Sequence, residues 1–359
     1  MSLESTTDMT ESDTILSVQN LQTVFYTDRE TIRAVDSISF DVKRGETVGI
    51  VGESGSGKSV TARSIMGLVD SPGRVRPGST ITFNGRELTE FSDAEYRSVR
   101  GSGIGMIFQD PQQSLNPVYT VGNQIRESLE VNRGITGAEA TEEATNLLEA
   151  VGIPDPKRRL DEYPHEFSGG MRQRAVIAMM LACDPEFLIC DEPTTALDVT
   201  IQAQILDLLK DLQKERGLSI LFITHDMGVI ADIADRVNVM YAGQIVEQAP
   251  VEELFANPKH PYTEALIDSI PGEQSRKEGL ETIEGEVPTP NEPATHCRFA
   301  PRCPKAFDAC DNVPPQHVSV NDEHDHTAAC LLYPDGESEE ERVRQHTEIA
   351  DDEYGGDEV

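Results

Sequence analysis

The sequence lacks any long uninterrupted apolar segment. Its longest apolar run, Ala175 to Cys183, is far shorter than the roughly 20 residues that a helix needs to span a bilayer. The segment Met1 to Ser12 is polar and acidic, without the basic start and apolar stretch of a secretory signal. We therefore expect a chain that does not cross a membrane by itself and that works in the cytoplasm.

The sequence is also poor in positive charge. It has 30 lysines and arginines against 64 aspartates and glutamates, which gives a formal net charge of -34 at pH 7. Nucleic acid and anionic lipid surfaces would repel such a chain, so no nucleic-acid partner is expected. The acids are spread along the whole chain, which favours a halophilic protein whose repulsion is screened by concentrated salt. An ordinary acidic protein with an acidic tail is the alternative.

Apolar segments with strand and helix character alternate along the chain and predict an α/β fold with a mostly parallel sheet covered by helices on both faces. Helical periodicity from Val121 to about Ala182, interrupted near Pro154 to Pro164, indicates a helical insertion spanning about 111–182. A further helix is predicted over Val60 to Leu68. The predicted strands are Ile15 to Leu21, Ala34 to Val42, Glu46 to Val51, Ile81 to Phe83, Ile104 to Phe108, Phe187 to Cys190, Leu218 to Thr224 and Val237 to Val246. The first two suggest an antiparallel β subdomain, and the last is a hairpin.

A glycine-rich segment, Gly52 to Ser59, matches G-x-x-x-x-G-K-[ST] and lies between a predicted buried strand and a predicted helix. In a loop of this kind, backbone N–H groups and the positive end of the following helix surround phosphate groups. Lys58 is expected to reach the β and γ phosphates of ATP, and Ser59 to bind Mg²⁺. The predicted nucleotide-binding residues are Gly52, Glu53, Ser54, Gly55, Ser56, Gly57, Lys58, Ser59 and Val60.

An apolar strand that begins at Phe187 ends in two acids, Asp191 and Glu192. Asp191 is expected to hold Mg²⁺ directly or through water. Glu192 is expected to orient and activate the water that attacks the γ phosphate. Taken alone, a strand end capped by two solvated acids is an equally good interpretation.

A second anion-binding turn is predicted at Ser168, Gly169, Gly170 and Met171, where a long helix begins. The chain has one P-loop, so an economical explanation is that this turn closes on nucleotide held by the P-loop of a partner subunit. The alternative is an ordinary helix N-cap.

The order of these motifs resembles the ATP-binding cassette (ABC) ATPases, P-loop NTPases, over roughly Leu16 to Ala256, and the predicted ATP-binding domain is 14–256. The resemblance implies that Gln109 contacts Mg²⁺ and senses the γ phosphate. It places Asp198, which closes Thr195-Ala-Leu-Asp198, at the dimer seam, and His225 at the γ phosphate. It further implies that Phe25 stacks on adenine, with Tyr26 as the neighbouring candidate and core packing of Phe25 as the alternative. The segment Phe167 to Met171 resembles the signature motif of this family, and Met171 stands where the commonest form of that motif has glutamine.

Three stretches, Gly49 to Ser59, Phe108 to Pro117 and His260 to Leu266, resemble the ATPase subunits of dipeptide and oligopeptide importers. The resemblance implies a subunit peripheral to the cytoplasmic face of the membrane. Its partners would be a second ATPase subunit, either a paralogue or an identical copy, two integral membrane permeases docked on the helical insertion, and indirectly an extracytoplasmic binding protein. A nickel importer of the same architecture and a soluble ABC ATPase outside transport are the alternatives.

The segment 257–334 is predicted to be a small irregular C-terminal extension, and its part from Pro293 to Cys330 resembles that of peptide importers. Four cysteines lie there, spaced Cys297-x5-Cys303-x6-Cys310-x19-Cys330. A cytoplasmic setting disfavours disulfides, and no gap fits the usual zinc spacing. A [4Fe-4S] cluster, associated with similar extensions, is favoured over zinc bound with help from His296, His324 or His326, and over no metal. Residues 335–359 are predicted to be an acidic tail without fixed structure.

Overall fold

The computed structural model describes residues 13–109, 114–195, 197–270, 285–321 and 325–354, the last with side chains to Ala350. Predictions that rest on residues 1–12, on the start of the insertion at 111, on Ala196, on His324 and on 355–359 lie outside the described residues. The strands are β1 Thr14–Tyr26, β2 Thr31–Lys43, β3 Thr47–Val51, β4 Gly73–Val75, β5 Thr80–Phe83, β6 Arg86–Glu87, β7 Ile104–Ile107, β8 Phe187–Asp191, β9 Ser219–Thr224, β10 Arg236–Tyr241, β11 Gln244–Pro250, β12 His317–Asn321 and β13 His326–Ala329.

The helices surround two sheets. Among the described residues, no helix combines the length and apolar character needed to cross a bilayer. Short 3-10 helices lie at Leu88–Glu90, Pro164–Glu166, Ala300–Arg302 and Asp308–Asp311. The α-helices are α1 Lys58–Ile65, α2 Asp93–Val99, α3 Val121–Arg133, α4 Gly137–Ala150, α5 Pro156–Arg159, α6 Gly169–Leu181, α7 Val199–Arg216, α8 Met227–Ile233, α9 Val251–Ala256, α10 Pro261–Asp268 and α11 Glu339–Tyr354.

The larger sheet has the strand order β12-β13-β11-β10-β3-β9-β8-β7. Its strands from β10 to β7 are parallel to one another, whereas β11, β13 and β12 continue the sheet in antiparallel pairs. Every residue of β3, β7, β8 and β9 is buried, as expected for parallel strands covered by helices on both faces. The predicted α/β fold with a largely parallel core is therefore confirmed.

The smaller sheet is antiparallel, with the order β2-β1-β5-β6 and β4 paired to β1. Its buried residues, including Leu16, Val18 and Ile81, share one core with α1 and with β3 of the larger sheet. The P-loop therefore lies between the two sheets and is packed from both sides.

The helical insertion is built from α3, α4, α5 and α6, of which α3, α4 and α6 share a core with the larger sheet. The Thr120 side chain caps α3 by accepting from Asn123 N–H at 3.3 Å, and Gly134, with φ of 67°, ends the helix. The break predicted near Pro154 to Pro164 corresponds to the short α5 and a 3-10 helix, after which α6 begins.

The C-terminal extension is more regular than the sequence predicts. Its hairpin of β12 and β13 joins the larger sheet, where Glu247 and Gln248 of β11 pair with Ala328 and Thr327. These strands are short and their burial pattern is mixed, so they carry little of the alternation that marks a strand. The edge strand β11 supplies the template that orders them.

The prediction of a structureless tail is wrong for the described part of 335–359, where α11 spans Glu339–Tyr354. Few apolar residues lie in this helix, so its composition resembles that of a solvated tail. It is held instead by polar contacts. His346 is fully buried, accepts from Gln316 N–H at 3.0 Å and bonds to Tyr333 O at 3.1 Å. Arg342 donates to Leu331 O at 3.1 Å.

A buried hydrogen-bonded pair links the extension to the larger sheet. The side chains of Glu247 and His326 are 0% exposed, with Oε1 and Nε2 2.8 Å apart. Glu247 also accepts from Lys259 N–H at 2.7 Å and His260 N–H at 2.8 Å. Its removal would leave several buried donors unpaired, and such losses typically cost about 3–5 kcal/mol.

We therefore expect Glu247→Ala to lower the free energy of unfolding by about 3–5 kcal/mol, measured by urea unfolding with circular dichroism. The matched control is Glu264→Ala, because Glu264 pairs with the half-exposed Lys305 at 2.6 Å and such surface pairs contribute about 0–1 kcal/mol. Equal losses in the two variants would contradict the proposed weight of the buried pair.

Candidate functional site

The P-loop follows β3 and leads into α1, which begins at Lys58. Two of its glycines are required by close backbone approach. A Cβ on Gly52 would lie 2.1 Å from Met240 O, and one on Gly57, which has φ of 109°, would lie 2.2 Å from Ala34 O. The loop is therefore pressed against β2 and β10, and its path admits no side chain at these positions.

Lys58 lies inside the curve of the loop. Its Nζ donates to Gly52 O at 2.7 Å and Glu53 O at 2.9 Å, and lies 3.5 Å from Ser56 Oγ. Burial lowers the pKa of Lys58, and the nearby Glu192, Asp191 and Glu53 carboxylates oppose that effect. The loop thus holds a desolvated ammonium group surrounded by backbone carbonyls.

Two of the three residues predicted to bind Mg²⁺ are in contact. Ser59 Oγ donates to Asp191 Oδ1 at 2.8 Å. Burial raises the pKa of Asp191, the Glu192 carboxylate adds to that effect, and the bond from Ser59 opposes it. An oxygen pair at this position suits a hard cation such as Mg²⁺. Gln109, the third predicted ligand, instead donates to Glu192.

Glu192 lies among three side chains from different segments. Its carboxylate accepts from Gln109 Nε2 at 3.0 Å and Thr195 Oγ1 at 2.9 Å, and lies 3.2 Å from His225 Nδ1. Burial raises the pKa of Glu192, but the bonds from Thr195 and His225 and the electrostatic effects of His225 and Lys58 together hold that pKa below its ordinary value. The carboxylate is thus kept ionised in a fixed orientation.

The backbone of Glu192 has φ of 49°, in the left-handed region that glycine favours. Its N–H donates to Ile223 O of β9 at 2.9 Å. This unfavourable conformation turns the side chain away from the strand direction toward Gln109 and His225. Thr195, to which the sequence analysis gave no role, is part of the same arrangement.

At the predicted second cradle, Ser168 is the N-cap of α6. Ser168 Oγ accepts from Met171 N–H at 3.3 Å. Ser168 and Gly169 are exposed, whereas Gly170 packs so closely on α7 that a Cβ there would lie 2.6 Å from Ile201 Cγ2. Met171 packs against the core, so the first turn of α6 keeps its open backbone with methionine at this position.

Asp198 caps α7, because its Oδ1 accepts from Ile201 N–H at 3.0 Å. Ile201 is the same residue that Gly170 contacts. The predicted anion-binding turn at Ser168 to Met171 and the predicted dimer-seam residue Asp198 therefore both contact Ile201, and both are at the beginning of a helix.

The aromatic candidates for adenine differ in exposure. Phe25 is half-buried, and a Cβ on Gly73 would lie 2.6 Å from its ring, so Phe25 packs on β4. Tyr26 is 51% exposed and lines a cavity of about 400 Å³ with Pro72 and Arg74. The structure thus places the neighbouring candidate, Tyr26, in the more accessible position.

Two residues of the extension that no sequence pattern predicts to be functional contact the P-loop. Tyr262 Oη accepts from Glu53 N–H at 2.9 Å. Arg302 donates to both oxygens of the Glu53 carboxylate at 2.8 and 3.1 Å. Arg302 lies between Pro301 and Cys303 in a segment without periodicity, and no local pattern identifies it as a site residue.

The four cysteines of the extension lie in one region. Cys297 N–H donates to Cys310 O at 3.0 Å. The thiols of Cys297, Cys303 and Cys310 are all close enough to Cys330 to contribute to the rise of its pKa. Burial raises the pKa of Cys297 to about 11 and that of Cys330 to about 12. In the part of the chain that the structure describes, no group of three or more His, Cys, Asp or Glu residues is arranged to hold a metal ion.

Zinc bound with help from His296 or His326 has little support in the structure, because both histidines have other contacts. His326 is engaged by Glu247, and His296 lies 3.4 Å from Thr295 Oγ1. The structure therefore brings the cysteines together without confirming the predicted [4Fe-4S] cluster.

Two families match the chain. The one described as ABC transporter matches residues 35–195, and the one described as oligopeptide/dipeptide transporter, C-terminal region, matches residues 246–310. A Sinorhizobium fredii protein named "Probable peptide ABC transporter ATP-binding protein y4tR" is 52% identical over 324 residues, 89% of this chain and 95% of that protein. The oligopeptide transport ATP-binding protein AppD of Bacillus subtilis is 49% identical over 327 residues, 91% of this chain and 99% of that protein.

A solved structure agrees with these matches. The structure titled "Dimeric structure of a post-hydrolysis state of the ATP-binding cassette MJ0796 bound to ADP and Pi" aligns with a TM-score of 0.60 and 27% identity, over 66% of this chain and 98% of that one. The arrangement of Lys58, Ser59, Asp191 and Glu192 accords with that likeness. The chain belongs to the ATP-binding cassette transporter family, as an ATP-hydrolysing ATP-binding protein that carries the C-terminal region of oligopeptide/dipeptide transporters.

Proposed function

We propose that this chain energises an importer of dipeptides or oligopeptides by hydrolysing ATP. The observation that carries the mechanism is the setting of Glu192, an ionised carboxylate held by Gln109, Thr195 and His225. Glu192 directly follows Asp191 in the sequence, and Asp191 accepts a hydrogen bond from Ser59 of the P-loop. The proposed base and the proposed cation site therefore adjoin the same P-loop.

In the proposed reaction, Lys58 exchanges its bonds to Gly52 O and Glu53 O for bonds to the β and γ phosphates. Ser59 and Asp191 hold Mg²⁺, which when bound neutralises charge on the phosphate oxygens. Glu192 orients the attacking water and accepts its proton. Gln109 and His225 fix the Glu192 carboxylate and adjoin the γ phosphate.

We also propose that two cassettes close on two nucleotides. Ser168 and Gly169 are exposed at the beginning of α6, so their cradle is open to a nucleotide on another subunit. The likeness to a dimeric cassette bound to ADP and Pi supports this arrangement. The partner is either a paralogous ATPase subunit or a second copy of this chain, with Asp198 at the seam.

The transport assignment rests on the extension and on the names of the relatives. Both curated relatives described above have names that refer to peptide transport, which favours peptide over nickel. We propose that two permeases dock on the helical insertion, where Val118, Tyr119 and Tyr163 are 70%, 53% and 40% exposed. The subunit would then lie at the cytoplasmic face of the membrane, below an extracytoplasmic binding protein.

A finer proposal concerns the cysteines and the charge. From the resemblance of the extension to that of peptide importers, we further propose that Cys297, Cys303, Cys310 and Cys330 would hold a [4Fe-4S] cluster as thiolates, with iron in place of the four thiol protons. The net charge of -34 supports a setting of concentrated salt, and assays should be run there.

The mechanism predicts that Glu192→Gln lowers kcat for ATP by about 10²- to 10⁴-fold, the usual contribution of a general base, with ATP binding retained. Phosphate release and calorimetric binding measure the two quantities. The control is Glu186→Gln, because Glu186 is exposed at the opposite end of β8 and pairs with Arg44 at 3.5 Å. Full turnover in Glu192→Gln would refute the assigned base.

The sandwich proposal predicts that Gly169→Asp abolishes the ATP-dependent dimer of the Glu192→Gln protein, because a carboxylate in the cradle would repel the partner's γ phosphate. Light scattering after size exclusion measures the dimer. A Cβ at Gly169 meets no atom within 4 Å, so the subunit should fold. Ala138→Asp, exposed in the first turn of α4, is the matched control. An unchanged dimer in Gly169→Asp would count against the sandwich.

The cluster proposal predicts about four irons and four sulfides per chain, with visible absorbance, after anaerobic purification. Cys303→Ser should lose them. Cys183→Ser, at a buried cysteine in the helical insertion, should keep them. An iron-free, colourless protein under these conditions would rule out the cluster and leave the ATPase assignment intact.

A further inference from the structure

Glu53, the second residue of the P-loop, is held on three sides. Its N–H donates to Tyr262 Oη at 2.9 Å, its C=O accepts from Lys58 Nζ at 2.9 Å, and both oxygens of its carboxylate accept from Arg302 at 2.8 and 3.1 Å. Two of these three partners belong to the C-terminal extension. The first turn of the P-loop is thus fixed from outside the ATP-binding domain.

Tyr262 is a rigid contact. It is fully buried in the first turn of α10, and its ring centroid lies 4.7 Å from that of Tyr241 and 5.4 Å from that of Phe299. Its N–H donates to His260 Nδ1 at 3.0 Å. Because packing fixes the ring, the hydroxyl oxygen has one position, and Glu53 N–H is directed to it rather than into the phosphate cradle.

Arg302 is equally constrained. Its side chain is 7% exposed, compared with 29% for Glu53. The guanidinium lies 5.7 Å from the Tyr241 ring centroid and donates to Tyr241 Oη at 3.3 Å. A buried fork of this kind gives a strong and directional bond to a carboxylate. The negative charge of Glu53 is therefore neutralised within the loop that is to receive a polyphosphate.

We propose that Arg302 and Tyr262 are positioning residues for ATP, acting through Glu53. This inference rests on the proposed nucleotide site. Without Arg302, the Glu53 carboxylate would lose its bidentate cation within the loop that receives the phosphates, and charges that are close together are screened little by physiological salt. Without the Tyr262 hydroxyl, Glu53 N–H would lose its acceptor. The extension thereby sets the affinity of a site to which it contributes no phosphate ligand.

Docking of the extension does not depend on Arg302 alone. Arg298 donates to Ala242 O at 2.6 Å and Glu292 O at 2.8 Å, and also to the Asp36 carboxylate. The β11 and β13 pairing and the Glu247 and His326 pair add further anchors. Substitution of Arg302 should therefore leave the extension in place, which separates an effect on the nucleotide from an effect on folding.

The test uses the full chain with calorimetric binding of ATP and steady-state hydrolysis. Arg302→Gln is expected to raise the Kd and KM for ATP about tenfold, the size of one charge-assisted bond, with kcat within about twofold of wild type. Glu53→Gln should bind ATP more tightly than wild type, because it removes a negative charge from the loop that receives the phosphates. In the double variant, loss of the carboxylate should restore the Kd to within about threefold of wild type.

The control is Lys305→Gln. It removes an equal charge three residues from Arg302, at a position where Lys305 pairs with the partly exposed Glu264. This variant should bind ATP as wild type does. A wild-type Kd in Arg302→Gln, or a double variant as weak as the single one, would overturn the proposal. Weaker binding by Glu53→Gln alone would also overturn it, whether or not Arg302→Gln folds. If the wild-type protein itself binds no ATP, the proposed nucleotide site is wrong instead.

Discussion

Parallel pairing of β3, β9, β8 and β7 is the constraint on which the site depends. Parallel neighbours end at the same edge of a sheet, so the P-loop after β3, the acids after β8, His225 after β9 and Gln109 after β7 converge. In sequence, Gln109 and Glu192 are 83 positions apart, yet their side chains are hydrogen-bonded. The register between β8 and β9, in which Asp191 pairs with Ile223, sets the level of Glu192 relative to His225.

The position of Glu192 illustrates how this edge accommodates strain. A left-handed conformation costs a residue other than glycine roughly 1–3 kcal/mol. The hydrogen bonds from Gln109, Thr195 and His225, and the bond from Glu192 N–H to Ile223 O, compensate for it. These partners also order the carboxylate, so the same contacts that permit the strained backbone orient the reactive group.

The sequence predicted the parallel core and most of this site because both have strong local signals. Buried strands such as β9 are continuous apolar runs, and the P-loop is a fixed spacing after one of them. The extension has no such signal. Its hairpin is ordered by pairing with β11, and α11 is held by His346 and Arg342 rather than by an apolar face. Arg302 was missed for the same reason, since its partner is distant in sequence.

The contacts between the extension and the rest of the chain are of one chemical kind. The extension contacts the rest of the chain by supplying donors to its carboxylates, with Arg298 to Asp36, Arg302 to Glu53 and His326 to Glu247.

In a chain with 64 acids and 30 lysines and arginines, cations are scarce, and Arg298 and Arg302 of the extension pair with the buried Asp36 and the partly buried Glu53. Such pairs are screened much less by salt than surface pairs are. An acidic chain can therefore contain buried and partly buried charge pairs, and the pair of Arg302 and Glu53 places one of them at the P-loop.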